Sequence, residues 1–381
     1  LQYEMRTLPK KPSVDRLRCS SDARVECITL NSSNDLLGAV INDDIYIFEV
    51  EPFNLLSVIT QSQLTCRQHT DNYVPIFKIE LVDRSNIVCV IPSTLHKSPR
   101  SADNRVLFFD LGSKGVVGEY TGNSGILDVK IAPDKCIVVT ESNITITTFP
   151  EFELVDSYET KNPLGCIALS IRRNMIAFVL EKGDIQAVAL EDSEKKRSSP
   201  VLFAAHKHEL GVLNFSPSGS LLATASLRGT SIHVFETRNF NFVAKFRRGI
   251  DASVIYSICI SPDDRFMALV NDNATVHIFS FDNSNQILPT KWKPGDILKN
   301  VISIGSSGGV PHPFENEPAK THIAKYDLLC RSFSLVCWQQ SILYVFTTDC
   351  EIIKLGFSEN GSICKRLNYD KLLILMMKLK T

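Results

Sequence analysis

The sequence predicts an all-β fold, a seven-bladed β-propeller with four antiparallel strands in each blade. Three observations predict it: apolar and polar residues alternate with a period of two, the alternating segments are rich in Val, Ile, Phe and Thr, and one unit of strands and turns recurs along the chain. A period of two is that of a strand, whereas a helix would show 3.6. Units of four short strands at a period of about 40–50 residues are typical of propellers.

The two clearest copies of the unit are residues 211–237 and 255–281, which start 44 residues apart. They match almost position by position, with SPSG against SPDD and LLATAS against FMALVN. A fourth, weaker strand follows most copies. The other copies are 27–50, 76–93 continued by 104–111, 126–149, 166–190 and 333–357. The blades lack the G-H and W-D dipeptides of strong WD repeats, so we interpret them as degenerate WD repeats.

The repeat predicts a single domain whose blades have approximate boundaries at 24–62, 74–122, 124–160, 164–204, 208–249, 253–332 and 333–370, followed by a tail at 371–381. Two segments interrupt the rhythm. Residues 95–104 are a polar loop inside blade 2. Residues 283–332 are a long loop inside blade 6, basic at the start, apolar in the middle and rich in Pro and Gly. Loops of that length in compact domains are usually functional or disordered.

Composition excludes several classes of function. The formal net charge of -1 argues against a nucleic-acid partner bound by bulk electrostatics. The 11 cysteines form no C-x-x-C pair, so neither a disulfide framework nor a zinc site is expected, and a reducing compartment fits them. No apolar run reaches the ~18 residues that span a bilayer. No nucleophile, carboxylate pair or metal cluster converges, so we expect neither an enzyme nor a cofactor.

One local feature stands out in this nearly neutral chain, the adjacent arginines of "FVAKFRRGID" at 242–251. On a strand, Arg247 and Arg248 point to opposite faces, one toward blade 5 and the other toward blade 6. Neighbouring strands offer hydroxyl, imidazole and further arginine groups that suit a phosphorylated headgroup. In blade 5 these are His206, Ser226, Arg228, Thr230 and His233, and in blade 6 they are Asn271, Thr275 and His277.

Structural explanations stay open for the same residues. Two exposed arginines on an edge strand are commonly a guard against edge-to-edge pairing. His233 and His277 occupy equivalent positions of two repeats, where each would bond a neighbouring strand. Thr230 and Thr275 fit strand propensity without any ligand.

A resemblance to a known protein family favours the headgroup site over the structural explanations. Residues 221–279 closely resemble the PROPPINs, β-propellers that bind polyphosphoinositides and in which the F-R-R-G motif, here 246–249, is diagnostic. Three further stretches resemble the family: FEVEPF at 48–53, TKNPLG at 160–165 and NRVLFFDL at 104–111. The resemblance covers nearly the whole chain and is nearest to the shorter yeast-type members.

The resemblance implies two headgroup sites for phosphatidylinositol 3-phosphate and phosphatidylinositol 3,5-bisphosphate. The first would comprise His206, Ser226, Thr230, His233 and Arg247. The second would comprise Arg248, Asn271, Thr275 and His277. It also implies that the loop at 283–332 inserts into the membrane through Ile297, Leu298, Val301, Ile302 and Ile304.

The sequence departs from the family at three places. The family usually has Arg where His233 stands, Ser-Ser near Val270-Asn271, and Lys-Gly where Asn273-Ala274 stand. We expect both sites to be retained, because both arginines, both threonines and His277 remain. The departures predict either weaker headgroup binding or binding at the first site that depends on pH through His233.

The resulting hypothesis is a monomeric peripheral membrane adaptor that binds phosphoinositide-containing membranes. Its flat faces would bind proteins of the autophagy machinery, including micronucleophagy, and it would also act in endosome–vacuole traffic. We expect it in the cytoplasm and on vacuolar, endosomal and preautophagosomal membranes. The alternative is a WD-repeat scaffold for protein–protein interactions in which lipid binding is weakened or lost.

Overall fold

The computed structural model describes residues 25–64, 74–83, 85–94, 102–190, 199–281, 314, 317–321, 324–328, 332–339, 342–349, 351–357 and 364–371. Within them the chain forms seven sheets, and each contains four antiparallel strands that make one blade. The sheet of blade 5 has a fifth strand in addition. The predicted fold class is therefore confirmed. Helix is confined, in the described part of the chain, to one turn, α1 (Gln61–Leu64).

The strands fall into blades as follows. Blade 1 contains β1 (Val25–Leu30), β2 (Leu36–Ile41), β3 (Asp44–Glu49) and β4 (Asn54–Ile59); blade 2 contains β5 (Ile76–Leu81), β6 (Ile87–Pro92), β7 (Arg105–Asp110) and β8 (Gly115–Thr121). Blade 3 contains β9 (Ile126–Ala132), β10 (Lys135–Thr140), β11 (Asn143–Thr148) and β12 (Leu154–Glu159); blade 4 contains β13 (Ile167–Ser170), β14 (Met175–Glu181), β15 (Asp184–Ala189) and β16 (Val201–Ala204). Blade 5 contains β17 (Leu210–Phe215), β18 (Leu221–Ser226), β19 (Ser231–Glu236) and β20 (Phe242–Arg247); blade 6 begins with β21 (Ile255–Ile260), β22 (Phe266–Asn271) and β23 (Thr275–Ser280). Two late strands, β24 (Ala319–Thr321) and β25 (Ala324–Asp327), precede blade 7, which contains β26 (Ser334–Gln339), β27 (Ile342–Thr347), β28 (Glu351–Phe357) and β29 (Cys364–Lys371).

The sheets close into a ring. The first strands of neighbouring blades contact one another all the way round, and the last pair joins β26 to β1. A separate apolar cluster fills each of the seven spaces between blades. Phe48 of blade 1 and Phe346 of blade 7 share one of these clusters, so the ring closes there through packed side chains. Burying each such phenylalanine contributes about 1.5–3 kcal/mol to folding.

Burial follows strand position. The second strands are almost wholly buried, as in β10, where all six residues are buried, because blades pack on both faces of each sheet. The fourth strands lie at the circumference and alternate between partly buried and exposed residues, as in β8 and β12. The period-two alternation seen in the sequence is therefore clearest in the burial of the fourth strands, at the circumference of the ring.

Blades 5 and 6 differ from the prediction in one respect. The segment 283–332, predicted as a loop throughout, forms two strands near its end: β25 is the fourth strand of blade 6, and β24 adds a fifth strand to blade 5. β24 runs parallel to β20, opposite Lys245–Arg247. Parallel pairing requires a long crossover connection, which the chain between β23 and β24 supplies. β20 is thus not the free edge of its sheet, and the arginines are not needed there as a guard against edge pairing.

Candidate functional site between blades 5 and 6

The strand β20 separates the two arginines. Arg247 lies opposite Ser231 of β19, on the face that also carries Lys245 and His233, and it is exposed. Phe246 points to the opposite face and is fully buried in the cluster between blades 5 and 6. Arg248 follows on that side with only 7% of its surface exposed. One cation is therefore presented to solvent, and the other lies within the protein.

Arg248 is held by backbone groups of blade 5 and of the connection to blade 6. Its Nε donates to the carbonyl of Gly229 at 2.6 Å, and a terminal nitrogen donates to the carbonyl of Asp251. Its amide nitrogen donates to the carbonyl of Thr230 at 2.9 Å. Burial lowers the pKa of Arg248, while the carboxylates of Asp272 and Asp251 act to raise it. The guanidinium therefore ties the F-R-R-G turn to the β18–β19 turn.

Gly229 permits that close approach. Its φ is +56°, and a Cβ at this position would lie 1.9 Å from the carbonyl oxygen of Ser253. Only glycine fits a left-handed turn so close to another backbone segment. Gly249 differs, since no atom of the described residues lies within 4 Å of the position that its Cβ would take.

Two predicted ligands of the first site, His206 and His233, are buried between blades 4 and 5. His206 is 6% exposed and His233 is 5% exposed, and their rings stack. His233 Nδ1 lies 2.7 Å from the carbonyl oxygen of Ala205, so that nitrogen is a donor. The rings of Phe242 and Phe314 meet His233 edge-on. His233 thus bonds a neighbouring segment, as the structural explanation of this residue expects.

Blade 5 carries two further cations, Lys245 on the same face of β20 as Arg247 and Arg228 in the turn between β18 and β19. Arg228 donates to His208 Nε2 at 3.1 Å, which requires that nitrogen to be an unprotonated acceptor. Lys245 donates to the carbonyl of Phe314 at 3.1 Å. Ser226 is buried, and Thr230 is half-buried in the turn beside Arg248.

The predicted second site is bonded internally and is rich in carboxylates. The Thr275 hydroxyl donates to Asp327 Oδ1 on β25 at 3.2 Å, and the Thr275 amide donates to Asn271 Oδ1 at 3.1 Å. Asn271 is 1% exposed, and its Nδ2 is buried with no hydrogen-bond partner among the described residues. His277 is 2% exposed and lies two residue pairs along the strand from Thr275, opposite Lys325.

Sequence reasoning did not single out Asp327, Lys245 or His208. Asp327 reaches the site on a strand that follows β23 only after the long connection, so sequence proximity gives no signal for it. Lys245 could have been found, because it stands two residues before Arg247 and therefore shares its face of the strand. The predicted insertion residues Ile297, Leu298, Val301, Ile302 and Ile304 lie outside the described residues.

Comparison with known proteins assigns the chain to a family. The family model described as PROPPIN matches residues 28–299, well over half of the chain.

The chain belongs to the PROPPIN family.

Among curated PROPPIN relatives, Autophagy-related protein 18 from Komagataella pastoris is 27% identical over 66% of this chain and 51% of its own length. WD repeat domain phosphoinositide-interacting protein 1 from Homo sapiens is 29% identical over 63% of this chain and 54% of its own length. This PROPPIN therefore spans about half the length of these relatives.

Solved structures share the fold. Kluyveromyces lactis Hsv2 superposes with a TM-score of 0.70 at 16% identity, over 92% of this chain and 99% of that one. KlAtg21, in its complex with the coiled coil of AgAtg16, superposes with a TM-score of 0.64 at 18% identity, over 91% of this chain and 99% of that one. In the described part of this PROPPIN, no helix has the length and apolar character needed to cross a bilayer.

Proposed function

We propose that this PROPPIN is a peripheral membrane adaptor that binds phosphatidylinositol 3-phosphate and phosphatidylinositol 3,5-bisphosphate at the edge of blades 5 and 6. The observation that carries the proposal is the exposed guanidinium of Arg247, on a rim strand that also carries Lys245, in a blade whose β18–β19 turn holds the exposed Arg228. Guanidinium groups bind phosphate through two parallel hydrogen bonds, and exposed cations in an otherwise neutral chain favour a local anion. The name of the human relative, a phosphoinositide-interacting protein, points to the same ligand class.

Attachment at the rim suits a flat membrane. A single headgroup contact is weak, but a second contact on the same rim becomes intramolecular, with an effective concentration in the ~mM range. The apolar residues Ile297, Leu298, Val301, Ile302 and Ile304 remain our prediction for that second contact, since shallow apolar insertion strengthens interfacial binding.

An edge-on pose leaves both flat faces of the ring accessible to proteins. We propose that the protein acts as a monomer and that the partners are components of the autophagy machinery. The name of the Komagataella relative and the coiled coil bound to KlAtg21 support this partner class. Vacuolar, endosomal and preautophagosomal membranes are the proposed locations, reached from the cytoplasm.

Liposome flotation tests the proposal. Vesicles of phosphatidylcholine with a few per cent phosphatidylinositol 3-phosphate should carry the protein upward, and vesicles without it should not. Arg247→Thr should abolish flotation, because it removes the exposed guanidinium without touching the core. Arg238→Thr is the matched control, since Arg238 is exposed in the turn between β19 and β20, at the other end of the blade. Flotation that survives Arg247→Thr would contradict the proposal.

A second candidate function is a protein scaffold without lipid binding. The bond from Thr275 to Asp327 and the inward position of Arg248 favour it, because they occupy groups that a headgroup would need. A wild-type protein that binds an autophagy protein but floats with no phosphoinositide vesicle would support the scaffold.

A further inference from the structure

The two sides of β20 offer different charges to an anion. On the side of Arg247, Arg228 donates to a histidine ring nitrogen and Lys245 donates to a backbone carbonyl. A cation held by a neutral group keeps its full charge for a ligand. His208, which holds Arg228, lies two residues from His206, so Arg228 belongs to this side of the blade.

On the side of Arg248, two carboxylates lie near the buried arginine. Asp251 and Asp272 are close enough to Arg248 to act on its pKa. Asp272 is itself fixed, because it accepts a hydrogen bond from the hydroxyl of Ser253. Lys320, the nearest cation on β24, donates to the carbonyl of Phe281 at 2.9 Å and lies over the ring of Phe246.

Asp327 takes the position that a phosphate would need on this side. A hydroxyl has only one proton to donate, and the Asp327 carboxylate, at 3.2 Å, is a nearer acceptor for the Thr275 hydroxyl than the carbonyl of Asn273, at 3.4 Å. A phosphate brought to Thr275 would lose that donor and would meet a carboxylate within contact distance. Like charges this close repel, and a phosphate carries more than one negative charge.

Arg248 by itself does not offset the repulsion from Asp327. Two of its nitrogens already donate to the carbonyls of Gly229 and Asp251, and the residue is 7% exposed. The two-pronged geometry that suits phosphate requires a pair of neighbouring guanidinium nitrogens. Rotating the side chain toward a ligand would leave two carbonyls without their donor.

We propose that this chain holds one phosphorylated headgroup rather than two, between Arg247 and Arg228 on the blade-5 side, and that Asp327 closes the second pocket from within. The inference rests on the proposed function, because it concerns the same ligand. Arg228 supplies the second permanent positive charge of the remaining site, where His233 is buried among aromatic rings.

Calorimetric titration with dibutanoyl phosphatidylinositol 3-phosphate, a soluble form of the lipid, tests the inference through its stoichiometry. The wild-type protein should bind one equivalent. Arg228→Met, which keeps the side-chain length, should weaken that binding about tenfold or more, as expected for loss of a charged hydrogen bond. Arg238→Met, a change of the same kind at an exposed position, should leave the affinity unchanged.

Asp327→Asn is the decisive variant. It keeps the shape of the side chain and removes its charge, and Asp327 is exposed, so the fold should persist. A second equivalent should then bind. A melting curve that coincides with that of the wild type shows that the variant is folded.

Each result decides between distinct possibilities. Two equivalents bound by the wild type would overturn the single-site inference and leave the proposed function standing. No binding at all would overturn the proposed function, and the inference with it. A single equivalent in Asp327→Asn, or full affinity in Arg228→Met, would overturn the roles assigned to those two residues.

Discussion

The imidazole rings of His206 and His233 lie parallel, with centroids 4.2 Å apart and planes inclined by 6°. Thr224 links them, since its hydroxyl donates to the carbonyl of His233 at 3.1 Å and lies 3.0 Å from His206 Nε2. The hydroxyl has one proton, so His206 Nε2 is the donor in the second bond. The two stacked rings are therefore held in place by Thr224, on the face of blade 5 that also carries Arg247.

Removing the Thr224 hydroxyl should destabilise the fold around the two histidines. Thr224 is fully buried, and Thr224→Val keeps its shape while leaving His206 Nε2 and the His233 carbonyl without that partner. We expect the free energy of unfolding in urea to fall by about 1–3 kcal/mol. Thr224→Ser is the control, since it keeps the hydroxyl and loses one methyl group, worth about 0.8 kcal/mol. Nitrogen-15 spectra of histidine-labelled protein should show His206 protonated at Nε2 in the wild type and in Thr224→Ser. A valine variant as stable as the wild type would refute the role of the hydroxyl.

Substitution of the two adjacent arginines should affect stability unequally, because only Arg248 is buried and bonded within the protein. Arg247→Ala removes an exposed side chain, so the free energy of unfolding should change by less than about 0.5 kcal/mol. Arg248→Ala removes two hydrogen bonds from a buried cation to backbone carbonyls, and a loss of about 1.5–3 kcal/mol is expected. Urea denaturation of both variants measures the difference. If the two variants lose equal free energy of unfolding, the hydrogen bonds of Arg248 do not stabilise the fold more than the exposed Arg247 does.

The fold was predictable because its signal is local and repeated. Residues 211–237 and 255–281 each contain the strands, turns and alternation of one blade, and seven such units leave few architectures other than a ring. The fourth strand of blade 6 was not predictable in the same way. β25 pairs with β23 across a long connection, and its four residues, AKYD, do not show the apolar alternation of the other strands.

The site was predictable in composition but not in its contacts. Alternation along β20 placed Arg247 and Arg248 on opposite faces, since that depends on neighbouring residues alone. It could not indicate that Arg248 bends back to Gly229 and Asp251, because those bonds depend on how two turns meet. Nor could it reveal Asp327 beside Thr275, which lies 52 residues away in sequence.

Gly229 and Gly249 should respond differently to the same substitution. Gly229→Ala forces a Cβ into the Ser253 carbonyl at a left-handed φ, so we expect a large loss of stability, of several kcal/mol, or no folded protein. Gly249→Ala meets open space and should melt at the wild-type temperature. If the headgroup approaches the F-R-R-G backbone closely, Gly249→Ala should nevertheless reduce flotation with phosphatidylinositol 3-phosphate vesicles. Melting curves and flotation of the two variants decide both points, and an unfolded Gly249→Ala would contradict the described geometry.

Charged residues of the central channel should make stability depend on pH. The channel has a volume of about 880 Å³. Among the described residues, three ion pairs link two lysines and two carboxylates that line it: Lys78 with Asp128 at 2.5 Å, Lys130 with Glu80 at 2.7 Å, and Lys130 with Asp128 at 3.8 Å. Burial raises the pKa of Glu80 to about 7, although the positive charge of Lys130 acts to lower it. Glu80 Oε2 is buried with no hydrogen-bond partner among the described residues, which fits a cost of ionisation in the folded state.

The direction of that dependence follows from proton binding. Because the folded protein binds the Glu80 proton more tightly than the unfolded chain, this contribution is fully present below pH 4.5 and is lost as the pH rises through about 7. Glu80→Gln stays neutral throughout and retains an acceptor for Lys130. Its free energy of unfolding, relative to that of the wild type, should therefore rise between pH 5 and pH 8 by an amount on the order of 1–3 kcal/mol. Urea denaturation at four pH values measures it, with Glu159→Gln, an exposed carboxylate of β12, as the baseline. A Glu80→Gln difference that is constant across that range would mean that Glu80 remains ionised in the folded ring.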